Sequence, residues 1–263
     1  MKTCRRKGTR GNGRMLFILL LLPAIGLIAR LGLRAAVQAP DGEVLLKRVD
    51  DNMGSDNKIT TSTMIIHGRR GSRSIRARSW IRGRSESLTE YLDPPRDRGT
   101  KMLKLKDQLW TYTPAADRTI RISGHMLRQS VMGSDLSYED MMEDPRLANL
   151  YTATVGGEET VEGRPCWVLD LVSRGGDIAY FRRKVWVDRE RDVVLREERY
   201  AKSGKLIKTT EVRSVERQGG RWVPTRLVFK DALKEGEGTE FILESIEFDA
   251  RIPDAVFTKA ALR

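Results

Sequence analysis

Residues 75–82 read Ile75-Arg76-Ala77-Arg78-Ser79-Trp80-Ile81-Arg82. Ile75, Ala77, Ser79 and Ile81 fall on one parity; Arg76, Arg78, Trp80 and Arg82 fall on the other. Successive side chains of a strand point to opposite faces, so this alternation predicts a strand with one covered and one wet face. That is the signature of antiparallel sheet, because strands buried on both faces read as continuous apolar runs.

The same period recurs along the chain. Leu103 and Leu105 alternate with Lys104 and Lys106, and Ile120 and Ile122 with Thr119 and Arg121. Trp167, Leu169 and Leu171 alternate with Cys166, Val168 and Asp170. Val223, Thr225, Leu227 and Phe229 share one face, and so do Ile242, Ile246 and Phe248. Turn signals separate the runs, among them Pro94-Pro95, Asp107-Gln108, Glu162-Gly163, Ser203-Gly204 and Gly219-Gly220. The pattern predicts roughly 11 to 13 strands, and an open sheet of that size curls or splits. A strongly bent sheet whose concave side is filled by helices is the economical solution. With no repeat or linker in view, residues 40–263 are expected to form a single domain.

Two segments break the alternation. In Asp41–Met53, Leu45, Leu46, Val49 and Met53 make one helical face, with Asp41 as cap and Gly54 as terminator. In residues 124–150, Ser137-Tyr138-Glu139-Asp140 matches the helix-start pattern in which a Ser hydroxyl accepts an orphan backbone N–H. Asp135 and Ser137 are expected to be cap residues, and Glu139 and Asp140 to be helix-start charges. Met126, Met132, Met141 and Met142 crowd this segment. Flexible, polarizable Met suits either a lid over an apolar cavity or a plug filling the core.

The chain has 263 residues and a formal net charge of +12. Eight basic residues and no acid lie in residues 1–39, so the remainder is close to neutral and the high charge does not argue for nucleic acid. Residues 1–39 have the layout of a secretory signal peptide: a basic stretch to Arg14, an apolar stretch from Met15 to Ala29, and small residues around Ala35-Ala36-Val37-Gln38-Ala39. Cleavage after Ala39 or Ala36, or retention as an N-terminal anchor, each place the body across a membrane from the cytoplasm. Cys166 is the sole cysteine beyond residue 4 and reads as a small buried hydrophobe.

No His, Cys, Asp and Glu set has metal-ligand spacing, so no metal and no cofactor are expected. His125, Ser134 and Asp135 can be drawn as a triad, but Gly133-Ser134-Asp135 is not a nucleophile elbow and the segment carries capping chemistry. Glu143-Asp144 and Glu197-Glu198 read as solvated faces. Arg69, Arg70, Arg73, Arg76, Arg78, Arg82 and Arg84 make either a docking face for anionic head groups or a solvated face that blocks edge pairing.

Three stretches carry a family resemblance. Leu109-Trp110-Thr111-Tyr112-Thr113-Pro114 looks like the D-G-x-x-L-W-x-Y-x-P hairpin of LolA-like outer-membrane lipoprotein-sorting proteins, with Gln108 where Gly is usual. Gly133-Ser134-Asp135-Leu136-Ser137-Tyr138-Glu139-Asp140 is similar to the G-S-D-x-S-Y-E-D stretch of their longer bacterial relatives. Val185-Trp186-Val187-Asp188 and Arg221-Trp222-Val223-Pro224-Thr225 resemble the later strands.

The resemblance covers about residues 41–250. It implies an incomplete, unclosed antiparallel β-barrel of about 11 strands wrapped around a few helices. It also implies a non-enzymatic periplasmic carrier for the acyl chains of lipoproteins or other lipid. Such a carrier takes cargo from an inner-membrane transporter, delivers it to an outer-membrane acceptor and is expected to act as a monomer. Trp110 and Tyr112 share a parity and either line the cavity or fill the core; the resemblance favours the cavity. The implied lining also includes Met126, Leu127, Met132, Leu136, Met141 and Met142. A basic residue after an early-strand Trp holds the lid in the family, and here Arg82 or Arg84 takes that place, without the usual following Pro. The rival expectations are an envelope lipid-modifying enzyme using residues 124–140 and a membrane-tethered accessory protein with a filled core.

Overall fold

The computed structural model describes residues 38–68, 71–176 and 178–263. The expected export segment therefore lies outside the described residues, apart from Gln38 and Ala39. Residues 38–263 form one compact unit.

The first helix, α1, spans Gly42–Met53. Asp41 Oδ1 accepts the Val44 N–H at 3.0 Å, and the Gly54 N–H returns to the Asp51 carbonyl at 3.1 Å, so both expected ends are in place. Thirteen strands follow, within the 11 to 13 that the alternation predicts and slightly more than the resemblance implies. They are β1 (Asn57–Gly68), β2 (Gly71–Arg82), β3 (Glu86–Asp93), β4 (Lys101–Leu105), β5 (Gln108–Thr113), β6 (Arg118–Ile122) and β7 (Tyr151–Val161). Then come β8 (Arg164–Ser173), β9 (Arg182–Asp188), β10 (Val194–Tyr200), β11 (Leu206–Gln218), β12 (Arg221–Asp231) and β13 (Thr239–Phe248).

All pairings are antiparallel, in a single sheet ordered β6-β5-β4-β3-β2-β1-β13-β12-β11-β10-β9-β8-β7. Because the first and last strands pair with each other, the free edges are β6 and β7, which are consecutive in sequence. The insert over 123–150 runs from one edge to the other. The segment where the alternation fails is thus the segment where the barrel fails to close. It holds α2 (Tyr138–Met142), α3 (Leu147–Leu150) and two 3-10 turns.

Cross-strand partners share a face, so the register sorts the side chains. Thr60 opposes Ser79, Ser62 opposes Ala77 and Met64 opposes Ile75. Ala77 opposes Tyr91, and Thr89 opposes Met102. This is the inner face. On the outer face Trp80 opposes Leu88, Leu88 opposes Leu103, and Leu103 opposes Trp110. Two sequence expectations change here. Leu103 and Lys104 do alternate, but it is Lys104 that points inward, and it is nearly fully buried. Ile242 opposes Thr63, whereas Ile246 opposes Thr60, because the β1–β13 register shifts between them. A bulge inserts an extra residue and swaps the faces, so Phe241 and Leu243, not Ile242, join Ile246 on the inner side.

Both faces carry a core. On the inner side Leu45, Leu46 and Val49 of α1 pack on Tyr151, Trp167, Leu169 and Val185. On the outer side the C-terminal segment lays Leu262, with Val256 and Ala261, over Leu88, Leu103 and Trp110, and Phe257 is buried with the Arg82 guanidinium over its ring. Cys166 is fully buried beside Val168 and Trp186, and burial pushes its thiol up to about 11. Two arginines of the β2 stripe are paired: Arg76 with Glu244 at 2.8 Å, and Arg82 with Glu86 and Asp254.

Candidate functional site

A cavity of about 570 Å³ lies between the inner sheet face and the insert. Met64, Ile75, Ala77, Tyr91, Met102, Leu109, Phe229 and Phe241 form its apolar wall, and Met141 of α2 projects from the insert side. Charged side chains also line it, among them Arg84, Lys104, Asp140, Glu143, Asp144, Arg183, Glu197 and Arg199.

The charged side chains hold the insert to the sheet. Ser137 and Asp140 form the expected capping box: Asp140 Oδ2 accepts the Ser137 N–H at 2.7 Å. Asp140 does more than start a helix. It is paired with Lys208 of β11 and with Arg199 of β10 at 3.2 Å, and it accepts the Tyr180 hydroxyl at 2.6 Å. Burial pushes the Asp140 carboxyl upward, and Lys208 and Arg199 outweigh that effect, holding it at about 2. Arg183, fully buried over the Tyr151 and Tyr180 rings, bridges Glu143 of the insert to Glu197. Burial raises Glu197 and the two arginines lower it further, so it too lies well below the ordinary carboxylate range. Glu143 and Glu197, which read as solvated acids, are parts of this buried chain. Burial lowers the pKa of Lys104, whose Nζ donates to the Met142 carbonyl at 3.1 Å.

Asp135 is not a cap. Its Oδ1 accepts the Asp231 N–H at 2.9 Å, and its Oδ2 accepts the Thr239 hydroxyl at 2.7 Å, which fastens the insert to β12 and β13. Ser134 Oγ is fully buried and accepts the Leu136 N–H at 3.2 Å. His125 is exposed. Ser134 and Asp135 are each bonded elsewhere, so the possible triad is not assembled. At the far end of the insert, both oxygens of Asp50 in α1 accept backbone N–H groups of α3, from Leu147 at 3.1 Å and Ala148 at 2.9 Å.

The remaining predicted site residues divide by face. Leu136 and Met132 pack with Met64, Ile75 and Tyr91. Met126, Leu127 and Met142 pack with Met102, Leu109 and Ile122. Of the eight expected lining residues, Met141 alone is among the residues that line the cavity. Trp110 and Tyr112 lie with Leu103 under the C-terminal segment, on the opposite side of the sheet. Arg82 reaches that same segment through Asp254, while Arg84 Nη1 donates to Asp144 Oδ2 of the insert at 2.9 Å. Arg183, Arg199 and Lys208 escape sequence reasoning because charge runs such as Arg182-Arg183-Lys184 look solvated. The available signal is Glu197 and Arg199 on one parity, a pattern that invites pairing.

Among the described residues, no helix is long and apolar enough to cross a membrane. Comparison with curated proteins finds no match. A protein-family model described as "Uncharacterized protein" matches residues 83–263. Among solved structures, a DUF1329 family protein from Desulfovibrio piger is similar, with 27% identity over 84% of this chain and 98% of that one, at a TM-score of 0.77. A domain from Vibrio parahaemolyticus, described as outer membrane lipoprotein-sorting, has 23% identity over 84% and 97% of the two chains, at a TM-score of 0.73. A LolA superfamily protein from Nitrosomonas europaea has 22% identity over 85% and 100%, at a TM-score of 0.71. The chain therefore belongs to the family whose model spans residues 83–263, and it has the unclosed-barrel fold of the LolA-like outer-membrane lipoprotein-sorting proteins.

Proposed function

We propose that the protein is a periplasmic carrier that shelters the acyl chains of a lipoprotein or another lipid in the cavity beneath the insert. It takes them from an inner-membrane donor to an outer-membrane acceptor, without covalent chemistry and as a monomer. The observation that carries this reading is a hollow of about 570 Å³ with an apolar wall in a fold whose helices would otherwise fill it. That volume is within the range of about 300–1,000 Å³ typical of small-molecule sites. Each CH₂ group moved from water into such a wall gains about 0.8 kcal/mol. Met141 supplies an adaptable contact from the insert side. Met64, Ile75, Tyr91, Met102 and Phe241 are the further cargo contacts. The similarity to lipoprotein-sorting folds supports an envelope location, as does the leader-like layout of residues 1–39.

Native mass spectrometry of the protein purified from its own envelope tests the reading. A co-purifying lipid is expected, displaced by an apolar fluorescent probe that binds saturably. A bare protein that also fails to bind the probe defeats it.

A further inference from the structure

A second hollow, of about 460 Å³, adjoins the acyl cavity at the end of α1. Gly83, Arg84, Pro145 and Leu147 line both, so they form a common wall. The two hollows differ in chemistry. In the acyl cavity the charged groups are committed to one another, as the Asp140, Glu143, Arg183, Glu197 and Arg199 chain shows. In the second hollow Lys58, Arg84 and Arg146 face Asp50 and Asp56. Asp50 is already occupied by the amides of Leu147 and Ala148. Arg146 is exposed and has no carboxylate within ion-pair distance among the described residues. Among the described residues, Lys58 Nζ donates only to the Met53 carbonyl, at 3.1 Å.

Resting on the carrier reading, we infer that the second hollow receives the anionic head group of the cargo, a phosphate-bearing lipid, whose tails occupy the adjoining cavity. Arg84 is the junction. Its pairing with Asp144 is half exposed, and such pairs contribute little, about 0–1 kcal/mol. A phosphate oxygen that accepts from the Arg84 guanidinium replaces Asp144 as its partner, and charge-assisted contacts of this kind are the strong ones. By contrast, Asp140, Lys208 and Arg183 are buried and paired, so the exchange leaves the rest of the insert in place. The two hollows then communicate where Arg84 leaves Asp144, and a lipid with one end polar and one end apolar spans them.

The test compares capture of fluorescent phosphatidylglycerol with capture of diacylglycerol carrying the same chains, using the full protein. Wild type is expected to prefer the phosphatidylglycerol by about tenfold, the scale of one charge-assisted contact. The preference is expected to shrink in high salt. Arg84→Gln and Arg146→Gln bring the ratio close to one, while Lys47→Gln, on the exposed side of α1, keeps the wild-type ratio. Inorganic phosphate alone at millimolar concentration does not displace the lipid. Equal capture of both lipids, with ratios unchanged in the variants, overturns this inference and leaves the carrier reading intact. Displacement by inorganic phosphate overturns it in favour of a free-anion site. Failure to capture either lipid removes the carrier reading itself.

Discussion

The Thr239 hydroxyl donates to Asp135 Oδ2 at 2.7 Å and accepts the Asp135 N–H at 2.9 Å. Both residues are buried, and the pair joins the insert to β13. Thr239→Val retains the shape and removes both bonds, leaving a buried donor and acceptor without partners. Unpaired buried polar groups cost about 1–3 kcal/mol each. Urea unfolding is expected to show a loss of about 2–4 kcal/mol. A loss below about 0.5 kcal/mol, the level of an ordinary surface substitution, removes the fastening role.

Asp140 titrates at about 2, against about 3.9 in an unfolded chain. A carboxyl depressed on folding contributes stability that is fully present above the unfolded value and lost as pH falls through the folded one. Between about pH 4 and pH 2 the wild type is expected to lose about 2 kcal/mol through this group. Glu197, also depressed, adds to the loss over a similar window. Asp140→Asn is expected to flatten the acid limb by about 2 kcal/mol, measured by urea unfolding at a series of pH values. An unchanged slope in the variant contradicts the pairing with Lys208 and Arg199.

The two faces of the sheet separate binding from stability. Ala77 lines the cavity, whereas Trp110 lies under the C-terminal segment. Ala77→Phe fills the hollow and is expected to weaken an apolar probe at least about tenfold, at a stability cost of about 1–3 kcal/mol. Trp110→Ala is expected to cost about 3–5 kcal/mol while the probe affinity stays within about twofold. If the two variants exchange these behaviours, the cargo lies on the other side of the sheet.

Removal of residues 251–263 strips Leu262 and Val256 from Leu88, Leu103 and Trp110 and takes away the buried Phe257 ring. Each buried side chain of this kind contributes about 1.5–3 kcal/mol, so the truncated chain is expected to lose at least about 3 kcal/mol. A new apolar patch also opens, and light scattering should detect self-association. A truncated protein as stable and as monodisperse as the full chain contradicts the covering role.

Much of the architecture is legible in local pattern. The alternation of Ile75, Ala77, Ser79 and Ile81 against Arg76, Arg78, Trp80 and Arg82 identifies a strand and sorts its faces correctly. Asp41 and Gly54 mark the ends of α1, and Ser137 with Asp140 marks the start of α2. The break in alternation at residues 124–150 marks the segment that spans the open seam. These signals are local, because caps and side-chain alternation act over a few residues.

Other features exist only after folding. Period two shows that Trp110 and Tyr112 share a face, but not that the face is the outer one, because the segment that covers them lies at the far end of the chain. The bulge in β13 changes the face of Ile242 through pairing with β1, which its own neighbours do not encode. Arg183, Glu197 and Lys208 look like solvent-facing charges until the insert brings Glu143 and Asp140 to them. By itself the sequence determined an antiparallel sheet, its interrupting helices and their caps, since each depends on neighbouring residues alone. Only the tertiary structure decided which side is hollow, which charges are buried and which arginine meets the insert, since each of these depends on contacts between segments distant in the chain.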